Sequence, residues 1–338
     1  MNSTRRRGII GFAAFLLVTI GIAIPLALLL QPHQIELTKV GELDVGWAWA
    51  VEVEGDIAYV LERDEPTPRG LVIVNVSDPT APVELGSFHD GGAPMSLDVV
   101  SDLVFVADQF EALEIIDVSD PSDPIEVGEY EGSGEIYDVQ VVGDLAYVAD
   151  WNEGLVILNI SDPTSPVFLS DYPIIGACVQ LYVVENLAYV SDHRSENTGL
   201  RVVNVSDPLD PTYAGQFMPT DADLWNPVVV GDYAYMGNHG TGGGEMRILD
   251  VSDPAAIEEA GRFEVGGNAI LVSDCIAYVA GWTDGLLMVD VSDPGQPVLL
   301  ARFSEAGMCN DMDVIGDVVY IADKYRGIMI LVMSVQIG

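Results

Sequence analysis

Two pairs of side chains in this sequence have types and spacing that suit chemistry. His193 follows Asp192, and His239 takes the corresponding place in the next repeat. An imidazole beside a carboxylate can bind a transition metal. These histidines lack the local ligand spacing of a metal motif, so we predict solvated loop histidines and no metal site.

Asp138 and Asp311 form the second pair, since two carboxylates can act as acid and base in glycoside cleavage. The sequence contains no nucleophile elbow, no zinc-protease motif and no phosphate-binding loop. These carboxylates are therefore the only catalytic candidates, and no motif supports them. A function without catalysis is favoured, although enzymatic activity stays open.

A ring of polar side chains is expected beneath a ring of aromatic ones. When the innermost strand of each repeat is aligned on its following turn, one mostly polar column contains Ala50, Ser96, Asp138, Gln180, Asn226, Asn268 and Asp311. The column one residue earlier contains Trp49, Met95, Tyr137, Val179, Trp225, Gly267 and Asn310. This pattern is typical of a ligand pocket, and a water-filled channel would produce it equally well.

The candidate binding residues are mainly aromatic residues, histidines and amides near one predicted face. They are Trp49, Tyr137, Trp151, His193, Trp225, Asn226, His239, Asn268, Trp282 and Asn310. Exposed aromatic residues gathered on one surface usually mark recognition. The alternative is that Trp49 and Trp225 only plug the mouth of a channel.

These residues are positioned by a repeat that fills most of the chain. The tetrapeptide Val-Ser-Asp-Pro, once with Ile in place of Val, recurs with its aspartate at positions 78, 120, 162, 207, 253 and 293. A recurring aromatic marker lies at Tyr59, Phe105, Tyr147, Tyr189, Tyr235, Tyr278 and Tyr320. Seven copies with a period of about 42 residues indicate stacked supersecondary units.

Each unit contains four short apolar runs separated by turns. In the third unit the runs are 139–142, 145–149, 154–160 and one that begins at 166–169. We therefore predict an all-β fold, a seven-bladed β-propeller with four-stranded blades. The last unit lacks a fourth strand, so we expect the N-terminal strand 35–43 to complete the last blade and remove free sheet edges.

The predicted propeller domain spans residues 32–338. Its repeats cover about 35–79, 82–121, 124–163, 166–208, 211–254, 256–294 and 297–334.

Two segments of the repeat resemble a known family. Gly70-Leu-Val-Ile-Val-Asn-Val-Ser-Asp-Pro79 and Gly154-Leu-Val-Ile-Leu-Asn-Ile-Ser-Asp-Pro163 are similar to the LVIVP-repeat proteins. The resemblance covers about residues 35–334 and implies a β-propeller of the kind found on exported and surface proteins. The matching residues are scaffold residues, so the resemblance implies no catalytic site.

The two faces of such a propeller differ in their loops. One face carries the Gly-Asp and Ser-Asp-Pro turns, which we interpret as turn chemistry. A calcium-rich face is the alternative, but the dense carboxylate spacing of a calcium loop is missing, so no cofactor is predicted. On the other face the loop after the aromatic marker is longer in units one, four and five, and such insertions often map to a binding face.

The charge of the chain limits its partners. It has 53 acidic and 13 basic residues and a formal net charge of −40. Such a chain repels phosphate backbones and anionic membrane surfaces, which excludes nucleic acid as a partner. Cations and basic partners are favoured.

The first residues predict export. Arg5-Arg6-Arg7 precede residues 8–30, which carry no charge and are long enough to cross a bilayer as a helix. The arginines predict a transmembrane anchor over residues 1–31 with its N-terminus in the cytoplasm and the propeller outside. The alternative is a cleaved signal peptide and a secreted protein.

We therefore expect a membrane-tethered propeller outside the cytoplasm that binds a protein or glycan through its aromatic-rich face. One alternative is a carbohydrate-active enzyme that uses the polar ring, and another is a structural cell-surface protein.

Overall fold

The computed structural model describes residues 34–63, 70–89, 91–109, 112–132, 135–174, 177–193, 199–238, 244–265, 267, 269–281 and 284–336. This part of the chain forms seven antiparallel sheets of four strands each, the blades of a propeller. The first strands of successive blades contact one another around a closed ring, so these strands line the central channel.

The first four blades use consecutive strands. Blade 1 contains β2 (Ala48–Glu54), β3 (Ile57–Glu62), β4 (Gly70–Asn75) and β5 (Val83–His89). Blade 2 contains β6 (Pro94–Val100), β7 (Leu103–Asp108), β8 (Leu113–Asp117) and β9 (Ile125–Tyr130). Blade 3 contains β10 (Ile136–Val142), β11 (Leu145–Asp150), β12 (Gly154–Asn159) and β13 (Val167–Tyr172). Blade 4 contains β14 (Cys178–Val184), β15 (Leu187–Asp192), β16 (Gly199–Asn204) and β17 (Thr212–Phe217).

The last three blades complete the ring. Blade 5 contains β18 (Leu224–Val230), β19 (Tyr233–Asn238), β20 (Glu245–Asp250) and β21 (Glu258–Phe263). Blade 6 contains β22 (Ala269–Ser273), β23 (Ile276–Ala280), β24 (Leu286–Asp290) and β25 (Val298–Phe303). Blade 7 contains β26 (Cys309–Ile315), β27 (Val318–Asp323), β28 (Gly327–Gln336) and, from the start of the described chain, β1 (Gln34–Leu43).

The closing strand confirms the sequence prediction. β1 pairs antiparallel with β28 from Gln34–Gln336 to Leu43–Ile328, with one irregularity between Lys39 and Gly41. The outermost strand of the last blade therefore comes from the opposite end of the propeller sequence. This pairing holds the first and last repeats together.

The hydrophobic core is divided among the blades. The described residues form seven apolar clusters, and each lies between two neighbouring blades. The aromatic marker lies in the middle of the second strand of every blade and is buried. Each repeat therefore buries its apolar faces only against its neighbours, which is why the sequence pattern must recur around the ring.

The Ser-Asp-Pro turns also contact the neighbouring blade. A Cβ atom built on Gly128, in the outermost strand of blade 2, would lie 2.1 Å from the carbonyl oxygen of Pro163 in blade 3. In blade 3, Ser170 occurs in place of the glycine and its hydroxyl donates a hydrogen bond of 2.7 Å to the carbonyl oxygen of Pro208. The close contact of Gly128 recurs at Gly41, Gly86, Gly215 and Gly261.

The fold class requires one correction, because a transmembrane helix is not supported. Residues 1–31, where it was predicted, lie outside the described residues. Within the described part, the helical structure is the three-residue 3₁₀ turn Pro254–Ala256, and no helix there has the length and apolar character needed to cross a membrane. The length and hydropathy of a segment show only that it is long and apolar, and they do not establish that it forms a helix.

Candidate functional site

Hydrogen bonds define the two faces of the propeller. In blades 1 to 6 a backbone N–H just after the third strand donates to a carbonyl in the turn after the first strand, as Ile160 does to Asp144 over 2.9 Å, and in blade 7 the donor is Met333 within β28. We call this side the regular face. On the opposite side, the residue after the second strand bonds the connection that enters the same blade, as Trp151 N–H does to the Glu135 carbonyl over 2.9 Å. We call this side the variable face.

The aromatic column lies at irregularities of the innermost strands. The strand register shifts at Trp49, Met95, Tyr137, Val179 and Asn310, each of which is the extra residue of a β-bulge. A bulge changes the direction of a side chain at the end of a strand. Repeated bulges therefore place this column where the channel opens on the variable face.

Ring contacts join the bulge residues to the loops of the variable face. The ring centroids of Tyr137 and Trp151 are 5.3 Å apart, and the Tyr137 hydroxyl accepts a hydrogen bond of 2.6 Å from Gln109 of blade 2. The Trp49 indole N–H donates to the Met95 carbonyl over 2.8 Å. These contacts link blades 1, 2 and 3 at the channel mouth.

Blades 7 and 1 share a second aromatic group. The centroids of Trp47 and Trp49 are 6.4 Å apart. The Arg63 guanidinium carbon lies 4.4 Å from the Trp49 centroid, and Lys324 Nζ lies 3.8 Å from the Trp47 centroid. Both cations therefore stack on tryptophan rings within the same chain.

The third group lies between blades 4 and 5. The His193 and Trp225 rings are 4.1 Å apart in an edge arrangement, and His193 Nε2 lies 3.3 Å from an oxygen of Asp223. Asn226 has a positive φ of 50°, and its backbone N–H donates to Gln180 of blade 4 over 2.8 Å. A non-glycine residue in this region is uncommon, so the backbone of the innermost strand is strained beside Trp225.

The polar column bonds neighbouring blades to each other. Asp138 accepts hydrogen bonds from Ser96 Oγ of blade 2 over 2.5 Å and from Leu181 N–H of blade 4 over 2.9 Å. Asp311 accepts one from Val51 N–H of blade 1 over 3.0 Å. The described contacts thus give both carboxylates a structural role across blade boundaries. Asn310 acts similarly, since its amide donates to the Ala48 carbonyl over 2.9 Å.

A second polar column, two residues further along the strands, was not predicted. Asp98 accepts from Val141 N–H over 2.6 Å, and Asp313 accepts from Val53 N–H over 2.8 Å. Glu52 and Gln140 make the corresponding bonds to the next blade. In the sequence these residues are recognisable as polar residues at alternate positions of otherwise apolar strands. In the structure they form the contacts between blades.

The wild-type protein is expected to lose stability as the pH rises from about 4 to about 6, and Asp138→Asn is expected to abolish this loss. Burial raises the pKa of the Asp138 carboxyl from 3.8 to about 6, against the opposing effect of its hydrogen bonds. The native state therefore binds more protons than the unfolded chain between these values, so stability falls as the pH rises. This shift in the pKa of Asp138 corresponds to at most about 3 kcal/mol in the free energy of unfolding, which urea unfolding at several pH values can measure.

The companion variant Ser96→Ala is expected to move this loss to higher pH. The Ser96 hydroxyl lowers the pKa of Asp138 by its hydrogen bond, so its removal raises that pKa further. If both variants follow the wild-type pH dependence, Asp138 does not control it.

A ring of buried acidic and amide side chains at the variable face was also missed. The residue three positions after the aromatic marker is buried in six blades: Glu62, Asp108, Asp150, Asp192, Asn238 and Asp323. Asp323 accepts hydrogen bonds from the backbone of Gly307, Met308 and Tyr325. These side chains hold the loops of the variable face in place, and the recurring Ala-Asp or Ser-Asp after the marker was the available signal.

Blade 5 contains a buried arginine that composition alone did not reveal. Arg247 is 2% exposed and forms ion pairs with Glu245 at 2.6 Å, Glu259 at 2.8 Å and Asp221 at 3.1 Å. Arg262 bonds Glu259 in turn. Since a buried charge is stable only when paired, this network ties the third strand of blade 5 to its outermost strand and to the connection that enters the blade.

Three predicted site residues, His239, Asn268 and Trp282, lie outside the described residues. In blade 6 the turn uses Asp274 and Cys275, both with positive φ, and Ala269 pairs with Ala280. This pair corresponds to the pair that Asp138 forms with Ala149 in blade 3. The register therefore puts Ala269 into the polar column of blade 6.

The Ser-Asp-Pro turns use their polar atoms locally. Asp162 Oδ1 accepts hydrogen bonds from the backbone N–H of Thr164 over 3.1 Å and from its hydroxyl over 2.7 Å. Asn159 Oδ1 accepts two from Ser161 in the same way. In the described part of the chain, no group of three or more His, Cys, Asp or Glu residues is arranged to hold a metal ion.

Comparison with protein families identifies the repeat. The family model described as LVIVD repeat matches seven segments: residues 45–90, 91–132, 133–173, 175–219, 223–265, 267–304 and 306–334. No curated protein sequence matches the chain.

Solved structures share the architecture at low identity. The β-propeller domain of Cps50 (Swd1) from Myceliophteria thermophila has a TM-score of 0.70 at 10% identity, over 89% of this chain and 100% of that one. The RRP9 WD40 repeats give 0.67 at 9% identity, over 89% and 98%. The computationally designed protein Ika8 gives 0.60 at 10% identity, over 87% and 99%. At these identities the likeness extends to the fold alone.

Proposed function

Because this chain belongs to the LVIVD-repeat family, we propose that it is a binding scaffold whose variable face holds a partner, either a protein or a glycan. The observation that carries the proposal is the group of aromatic contacts around the channel mouth: Trp47 with Trp49, Tyr137 with Trp151, and Trp225 with His193. Aromatic anchors on a rigid surface are the usual centres of binding interfaces. The location outside the cytoplasm stays a prediction, since no described residue bears on it.

The arrangement of the two faces supports a binding function. The regular face repeats the same turn in blade after blade. On the variable face the residue that follows the buried acidic or amide side chain differs from blade to blade, as at Arg63, Trp151 and Lys324. Asp138 and Asp311 of the polar column accept hydrogen bonds from neighbouring blades, which suits a rigid scaffold. A scaffold that is constant on one side and varied on the other is the form that repeat proteins use for recognition.

Replacement of Trp49, Trp151 and Trp225 together by alanine is expected to abolish partner retention. Each ring is an anchor of the kind whose truncation costs about 2 kcal/mol or more, so the combined loss should exceed a hundredfold in affinity. The measurement is capture from cell extracts and secreted material, together with a glycan array. The control is Tyr213→Ala, which removes an exposed aromatic ring from the outermost strand of blade 4 at its regular-face end.

Because Trp49 also bonds Met95, the melting temperature of every variant must be compared with wild type. The set with phenylalanine at the same three positions keeps the aromatic surfaces and should retain part of the binding. A triple alanine variant that remains folded and retains the same partners as wild type would contradict the proposed function.

A further inference from the structure

The Tyr137–Trp151 pair lies in the longest stretch of the chain without lysine or arginine. No lysine or arginine occurs between Gly70 and His193, whereas aspartate and glutamate recur throughout. This stretch builds the outer half of blade 1, all of blades 2 and 3, and the inner half of blade 4. The positive charges of the described chain therefore lie at Arg63 of blade 1 and in blades 4 to 7.

Corresponding positions in other blades hold a cation. Trp151 is the fourth residue after its aromatic marker, and the same place holds Arg63 in blade 1 and Lys324 in blade 7. Those two cations stack on Trp49 and Trp47. In blade 3 the place holds a second aromatic ring instead, stacked on the bulge residue Tyr137. The chain thus supplies its own cations to Trp49 in blade 1 and to Trp47 just before it, and an aromatic ring to the tyrosine of blade 3.

Acidic residues lie next to this pair in the sequence, with Glu135 two residues before Tyr137 and Glu153 two residues after Trp151. Burial raises the pKa of Glu153, and the charges of Asp150 and Asp171 raise it further. The pKa of Tyr137 is raised by burial and by the Glu135 carboxylate, while the hydrogen bond from Gln109 and the charge of Arg63 in blade 1 lower it. A mobile cation placed here would relieve repulsion among these acids.

We propose that the Tyr137–Trp151 pair is the docking point for a lysine or arginine side chain from a basic segment of a partner protein. The inference rests on the proposed function and specifies the class of partner that binds the same face. The incoming cation would stack on the half-buried Trp151 ring and approach Glu153 and the exposed Asp171. Charge complementarity favours this occupant, because residues 70–193, which build blades 2 and 3, contain many acidic residues and no lysine or arginine.

The test measures binding of a fluorescein-labelled peptide of alternating arginine and glycine to the full chain by fluorescence anisotropy. A peptide with glutamate in place of arginine serves as the negative probe. Trp151→Ala does not change the charge, and it is expected to weaken binding about tenfold, because a desolvated cation–π contact contributes about that factor. Glu153→Gln should weaken binding less and reduce its salt dependence.

The most direct variant is Trp151→Arg, which gives blade 3 the side chain that blade 1 has at Arg63. The new arginine should stack on Tyr137 and remove the peptide site while the fold is retained. Tyr213→Ala is the matched control and should bind the peptide as wild type does. All variants must first match wild type in thermal melting.

Two results would overturn the proposal. Equal binding by wild type and Trp151→Ala would mean that the peptide responds only to the net charge of −40. A glycan that binds the full chain and depends on Trp151, with no effect of this substitution on the basic peptide, would assign the pair to another ligand class. In both cases the proposed function survives if the triple tryptophan variant still loses its partner.

Discussion

A chain that begins at Asp44 is expected to unfold at a much lower temperature than one that begins at Gln34, and to aggregate. The shorter chain lacks β1, so the outer edge of β28 is left unpaired. The apolar side chains of β1, Ile35, Leu37, Val40 and Leu43, also leave the clusters next to blade 7. At about 1 to 1.5 kcal/mol for each of these partly buried side chains, the loss is roughly 4 to 6 kcal/mol, and the exposed edge promotes association.

The measurement is calorimetric melting with size-exclusion chromatography of both chains. A loss of this size should lower the melting temperature on the order of 10 °C. A control chain with Ile35 and Leu37 replaced by serine keeps the backbone pairing and should lie between the two. Equal melting of the two lengths would show that β1 does not hold the ring closed.

Gly215→Ala is expected to destabilise the propeller by about 3 kcal/mol or more. A Cβ atom on Gly215 would lie 1.6 Å from the carbonyl oxygen of Pro254, in the Ser-Asp-Pro turn of the next blade. Because both atoms belong to the backbone, relief requires that blades 4 and 5 move apart, and the polar and apolar contacts between them weaken. Urea unfolding of the two proteins measures the difference.

Gly295→Ala provides the matched control. A Cβ atom there would meet only ordinary contacts, the nearest 3.4 Å away, so this variant should be neutral or slightly more stable. A similar small effect of both substitutions would mean that the blades tolerate movement at the proline turns. In that case the recurring glycine would not act as a contact point between blades.

Most of the fold could be predicted from local sequence because each repeat carries the same information. The aromatic marker, the turns and the four apolar runs recur seven times, so an error in one repeat is corrected by the others. The orphan strand at residues 35–43 was recognisable from the missing fourth strand of the last unit. The structure confirms this closure through the pairing of β1 with β28.

The candidate site was predictable in position but not in contacts. The column of Trp49 and Tyr137 follows from alignment along one strand, which the sequence contains. The bond from Leu181 N–H to Asp138 depends on how blade 4 is placed against blade 3, and no local pattern encodes that distance. In blade 6 the turn is formed by Asp274 and Cys275, one residue later than the sequence alignment placed it. The polar column position of this blade therefore falls on Ala269.

The sequence by itself determined the number of blades, their four strands, the closing strand and the sorting of loops onto two faces. These properties follow from periodicity and alternation along the chain, which require no knowledge of neighbouring blades. Only the tertiary structure decided that the polar columns bond across blades, that Arg63 and Lys324 stack on tryptophans, and that Trp151 stacks on Tyr137. Such contacts join residues of different strands or repeats, and they exist only once the ring has closed.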